Sequence, residues 1–185
     1  MSDLSLHEAA RRLVECLSRL QIKMVLAESC TCGRAVAALG TVSGVSQFLC
    51  GALVVYRPEA KAHWLGLDPT WLAKVSTESL ACSQALAIAA LTQTPAAHFS
   101  LAITGDLDPT SAPEKQGHIY VAAAHRGSSA DQTRLLGGTE LLLNTADRVS
   151  RQREAAECLL RFGSELLAQD LTQLPSLTPA RSSGK

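Results

Sequence analysis

A short apolar run, Ile22 to Ala27, stops at Glu28-Ser29-Cys30-Thr31-Cys32-Gly33, and an alanine-rich stretch from Arg34 to Leu39 follows at once. This junction restricts the fold more than any other segment. An apolar run too short for a helix, then a polar turn, then helix-forming residues, reads as a strand that turns sharply into a helix. Ser29 is then raised above the sheet edge, and the backbone N–H groups after it point outward. Such donors can hold a phosphate or a developing oxyanion, and a serine among them suits a nucleophile. Serine is also a preferred N-cap residue, so a plain helix cap is the competing assignment.

The rest of the chain repeats this alternation. Leu6, Ala9, Ala10, Leu13, Val14, Leu17 and Leu20 fall on one face of a helix from Leu4 to Leu20. Phe48 to Tyr56 is a second strand, so continuously apolar that it reads as buried. Pro58 starts a short helix, and Asp68-Pro69 opens another. Ser76 is placed to cap a long helix that runs to about Thr92. His98 to Thr104 is a third strand, Gly105 to Gln116 a polar loop, and Gly117 to His125 a fourth strand. Gln132 to Leu143 reads as a fifth strand broken at Gly137-Gly138, and its short link to the fourth predicts an antiparallel edge. Ala146 to Ala168 closes the pattern as an amphipathic helix. The expectation is an α/β three-layer sandwich, with a mostly parallel sheet, an antiparallel edge and helices on both faces. One domain spans residues 1–169, and residues 170–185, rich in Pro, Ser and Thr, read as a flexible tail. Ligands of such sheets bind beyond the carboxyl ends of the strands, where the loops after Ala27, Tyr56 and Thr104 meet.

Hydrophobic residues make up 46% of the 185, enough for a real core. Seventeen basic residues balance 17 acidic ones, so no global field attracts nucleic acid, although Arg148, Arg151 and Arg153 form a local basic patch. No apolar run is long enough to span a membrane, and the first twelve residues lack a signal-peptide core. The expected location is therefore cytoplasmic. The six cysteines contain no C-x-x-C pair, so no metal site is expected. Cys16, Cys82 and Cys158, on helical segments, are expected to be buried thiols, and Cys50 to open a strand.

A serine nucleophile needs a base. Of the five histidines, His63 lies nearest, on the helix after Tyr56; Lys61 shares that helix and can serve if burial lowers its pKa. Tyr56, at a strand end, can orient the base or relay a proton. The alternative makes Tyr56 an edge residue and Lys61 a solvated charge.

Read in order, Ala27-Glu28-Ser29-Cys30-Thr31-Cys32-Gly33, Gly51 to Tyr56 with Glu59-Ala60-Lys61, Leu65-Gly66-Leu67, Val75-Ser76, Ala102-Ile103-Thr104-Gly105, Gly117 to Ala122 and Asp147-Arg148 form an ordered set. From about Leu6 to Leu167 the chain resembles the C-terminal domain family of the competence/damage-inducible protein CinA, in a stand-alone form. That resemblance implies an amidohydrolase that converts nicotinamide mononucleotide and water to nicotinic acid mononucleotide and ammonia, without metal or organic cofactor. It implies Ser29 as nucleophile, Lys61 as general base and Tyr56 as assistant. Cys30, Thr31, Gly33, Thr104, Gly105 and Arg148 would line the substrate site, with the Cys30 and Thr31 N–H groups near the oxyanion. It also implies self-association, for which Trp64 and Trp71 are candidate anchors.

The chain departs from the family pattern at Cys32, where a glycine is usual. It departs again at Asp106-Leu107-Asp108-Pro109-Thr110-Ser111, which replaces a glycine-rich stretch suited to wrapping a phosphate. Pro58 and Gln152 differ as well. Two readings follow: an amidohydrolase with altered substrate preference, or a diverged paralogue that binds a ligand or protein partner without turnover.

Overall fold

The computed structural model describes residues 3–127 and 133–169. Apolar strands alternating with helices can hide both sheet faces, and the chain does so in the order α1 (Asp3–Leu20), β1 (Met24–Glu28), α2 (Arg34–Gly40), a 3-10 turn (Val45–Gln47), β2 (Leu49–Val54), α3 (Pro58–Leu65), α4 (Pro69–Lys74), α5 (Leu80–Gln93), β3 (Phe99–Gly105), β4 (His118–Arg126), β5 (Thr133–Leu142) and α6 (Arg148–Gln169). The strand order is β2-β1-β3-β4-β5. β1 lies parallel to β2 and β3, while β4 runs antiparallel to β3 and β5. The expected α/β sandwich is thus present, with its antiparallel part made by β4 against both neighbours.

Side chains along a strand alternate between faces. Met24, Leu26, Leu101 and Ile103 meet Leu13, Leu17, Leu39 and Leu159 beneath α1, α2 and α6. Val25, Ala27, Ala102 and Ala122 meet Leu65, Leu72, Leu86 and Ala90 beneath α3, α4 and α5. Each fully buried leucine contributes on the order of 2 kcal/mol. Small residues on the second face let α5 lie close to the sheet. Gly138 belongs to that approach: a Cβ there would lie 2.9 Å from Leu80 Cδ1 of α5. Gly137-Gly138 therefore does not break the fifth strand, which runs through both residues.

Other expectations need correction. β2 is an edge strand, half-buried rather than enclosed, because its only neighbour in the sheet is β1, which separates it from the central β3. Its apolar run covers an edge, and Val54, Tyr56 and Trp64 stay exposed. Trp71 instead packs against the core beneath α3 to α5. The cap of α5 is Ser79, whose Oγ accepts from Cys82 N at 3.2 Å; Ser76 closes its own turn with Glu78 N. Helix α2 begins at Arg34, so Thr31 lies in the turn before it. Among the thiols, Cys82 is buried, whereas Cys16 and Cys158 are half-buried. The tail at 170–185 and the first residue of the expected fifth strand, Gln132, lie outside the described residues. Among the described residues no helix is long and apolar enough to cross a membrane.

Candidate active site

The carboxyl ends of β1 and β2 are tied together by Val55 N donating to Glu28 O at 2.8 Å. Beyond that tie, β1 gives way to Ser29, whose N–H is held by Ile103 O of β3 at 3.1 Å. β2 continues through Val55 and Tyr56 into α3, where Pro58 stands at the start and suits its fixed φ. Lys61 follows one turn later and points inward. Its Nζ lies 3.1 Å from Ser29 Oγ, 2.9 Å from Val55 O and 3.1 Å from Tyr56 O. Lys61 is 1% exposed and Ser29 7%. Burial pushes the Lys61 pKa below its usual value, and the nearby Cys82, Glu78 and Cys30 offset part of that fall. His63, two residues on, is exposed, because two helical steps turn a side chain by about 200°.

Ser29 does not cap α2. The capping carboxylate is Glu28, fully buried: Oε1 accepts from Val36 N at 2.8 Å, and Oε2 from Ala35 N at 3.1 Å and Thr31 Oγ1 at 2.7 Å. The first-turn donors of α2 are therefore occupied. Within the turn, Cys32 N donates to Ser29 O and Arg34 N to Thr31 O, each at 3.1 Å. Among the described residues, the N–H groups of Cys30 and Thr31 donate to no backbone carbonyl. They are the donors left beside Ser29 for an oxyanion. Sequence reasoning missed Glu28, although an acid just ahead of a helix whose first turn has none was a signal.

Gly33 is the N-cap residue of α2 at φ 86°, and Cys32 before it adopts φ 52°. The cysteine thus takes the left-handed backbone that glycine would favour, at a cost of about 1 kcal/mol. Burial pushes the Cys30 thiol up to about 12 and the Cys82 thiol up to about 11, so both stay protonated at neutral pH.

The remaining candidate residues separate. Tyr56 reaches Lys61 through its carbonyl, while its half-exposed ring places the hydroxyl 2.9 Å from Arg148 Nη2. The Thr104 hydroxyl is buried against Ser83 Oγ at 2.9 Å and Ser79 O at 3.3 Å, so its hydrogen bonds are spent on α5. Gly105 serves packing: an added Cβ would lie 2.5 Å from His118 O of β4. Arg148 shares the Tyr56 edge of the site. Arg151, 8% exposed, is engaged by the carbonyls of Thr145 at 3.0 Å and Leu107 at 3.4 Å. Gln152 Nε2 donates to Cys30 O at 3.4 Å, an approach to the nucleophile turn.

The loop after β3 has exchanged glycines for side-chain turns. Asp106 Oδ1 accepts from Asp108 N at 2.9 Å, and Asp108 Oδ1 accepts from Thr110 N at 2.8 Å. Leu107 between them is buried in the α1, α2 and α6 layer. The bonds from Thr110, aided by Arg148 and Arg151, hold the Asp108 carboxyl below its ordinary range.

The family model of the CinA C-terminal domain matches residues 6–155. The chain belongs to the CinA C-terminal domain family. This CinA domain is 34% identical over 119 residues to a putative competence-damage inducible protein of Lacticaseibacillus casei, covering 64% of the chain and 29% of that relative. It is 40% identical over 94 residues to a CinA-like protein of Mycobacterium tuberculosis, covering 50% of the chain and 22% of the relative. The CinA domain thus spans less than a third of the length of these curated relatives. Among solved structures, a CinA superfamily protein from Klebsiella pneumoniae superposes with a TM-score of 0.78 at 25% identity, over 89% of this chain and 98% of that one. A competence/damage inducible protein from Agrobacterium tumefaciens gives the same score and identity over 90% and 96%.

Proposed function

We propose that this CinA domain hydrolyses a carboxamide through an acyl-enzyme on Ser29, with Lys61 as general base. The observation that carries the reading is the 3.1 Å approach of Lys61 Nζ to Ser29 Oγ between two buried side chains. As a neutral amine, Lys61 gives its two N–H bonds to the carbonyls of Val55 and Tyr56 and turns its lone pair to the Ser29 hydroxyl. A lysine with a lowered pKa carries that lone pair nearer neutral pH.

Ser29 Oγ attacks the amide carbon while its proton passes to Lys61. The oxyanion forms against the N–H groups of Cys30 and Thr31, each worth about 3 kcal/mol of barrier. Collapse breaks the C–N bond, and the Lys61 ammonium returns its proton so that ammonia leaves. Water then attacks the ester, gives a proton to Lys61, and releases the acid and Ser29.

The family resemblance supplies the substrate of this reading: nicotinamide mononucleotide, giving nicotinic acid mononucleotide and ammonia. The expected result is ammonia release by the wild type and a fall of about 10⁴-fold in Ser29→Ala, with the fold retained. An enzymatic ammonia assay and a thermal melt check both parts. No ammonia above a blank at high protein concentration removes the reading for that substrate. Binding without turnover is favoured by a specific observation: Asp106 and Asp108 stand where a phosphate cradle is expected, and Arg151 is engaged internally.

A further inference from the structure

A cavity of about 330 Å³ opens where β3 leaves the sheet and β4 enters it, at the sheet end that carries Ser29. Its walls include Glu78, Ser79, Asp106, Lys115, His118 and Tyr120. Two links join it to the nucleophile. Ile103, whose carbonyl holds Ser29 N, lies three residues before Asp106 on the same segment. Thr104, between Ile103 and Asp106, meets the carbonyl of Ser79, a residue of the cavity wall, at 3.3 Å. Ser29 follows β1 and His118 starts β4, two strands away; two strand spacings span roughly 10 Å, the reach of an aromatic ring joined to a pentose.

The wall is organised by internal bonds. His118 Nδ1 lies 2.6 Å from Glu140 Oε1, and Tyr120 Oη donates to the same oxygen at 3.2 Å. Asp106 uses Oδ1 on Asp108 N. These bonds leave Asp106 Oδ2, both Glu78 oxygens and the Lys115 ammonium able to meet a ligand. Two carboxylates beside one ammonium suit adjacent hydroxyls, each of which donates to an acid and accepts from an amine. A phosphate there would meet two like charges for one opposite charge.

We propose that this cavity receives the hydroxylated part of the substrate and selects against a phosphate, so that the preferred amide is a glycosylated carboxamide without a phosphoryl group. The proposal rests on the reading of Ser29 and Lys61 given above and goes beyond it to the substrate class. It is tested by titration calorimetry on Ser29→Ala protein, with nicotinamide mononucleotide and its dephosphorylated nucleoside as probes. The nucleoside is expected to bind about tenfold more tightly. Glu78→Gln, and Glu78→Gln combined with Asp106→Asn, are expected to narrow that difference stepwise. Glu78 is exposed and its carboxylate meets no partner among the described residues, so the single variant folds even if the double variant does not. Equal or tighter binding of the nucleotide, no binding of either probe, or a ratio unmoved by Glu78→Gln overturns the proposal. Selective nucleoside binding with no ammonia release by the wild type leaves the cavity assignment standing and removes the amidohydrolase reading.

Discussion

The turn after β1 and the loop after β3 end neighbouring parallel strands, yet they are built on different principles. The first is fixed from within: the Glu28 carboxylate, fully buried, holds one hydroxyl and two helix N–H groups, and Cys32 accepts a left-handed backbone in the same turn. The second is anchored by one buried side chain, Leu107, and shaped around it by aspartate turns, at Asp106 on Asp108 N and Asp108 on Thr110 N. A buried carboxylate with three donors allows little change, because each lost partner strands a charge. A surface turn can exchange glycine for aspartate and keep the chain path. The positions of nucleophile and base can therefore persist while the ligand-facing loop diverges.

The largest effect that could break this contrast is at Glu28. Glu28→Gln puts an amide N–H against a backbone N–H, and a loss of about 3 kcal/mol is expected by urea unfolding. Asp108→Asn, at the surface, is expected to leave the urea midpoint nearly unmoved. Similar shifts for the two would abolish the distinction. Gly105→Ala lies at the boundary between the regions. Its methyl would press on the His118 carbonyl, and overpacking of that kind costs about 2 kcal/mol, measured in the same way. The smallest effect is at Cys32. Cys32→Gly relieves the left-handed strain but loosens the unfolded chain, for a net gain of about 0.5 kcal/mol. A loss of stability would show that the cysteine side chain supports the turn.

Much of the fold was legible because period and length tell strand from helix. The turn at Ser29 could be read locally, and so could α3 behind Pro58. Sheet position could not: the β2 run looks central, and its place at the edge depends on which side each crossover takes. Ser76 and Ser79 look alike as caps, and which of them serves depends on where α5 starts, at Leu80. At the site, side-chain types pointed to Ser29 and Lys61, but the role of Tyr56 toward Lys61 passes through its carbonyl, which every residue has. Thr104 and Gly105 carry a motif whose atoms serve packing between β3, β4 and α5, a contact that sequence spacing does not reveal.

The central claim is that Lys61 is held as a buried amine against Ser29, and its titration tests this most directly. A lysine whose folded pKa lies below its unfolded value binds fewer protons when folded, so stability rises with pH through that window. Below the folded pKa both states are charged, and the full cost of burying the ammonium is present. Above the ordinary lysine value both are neutral, and the cost is gone. With ¹³C-labelled lysine, the resonance missing from Lys61→Met identifies the residue by NMR. It is expected to titrate below the other lysines, with unfolding free energy climbing over the same pH range, a climb absent in Lys61→Met. Titration at the ordinary lysine value, with no such climb, would contradict it.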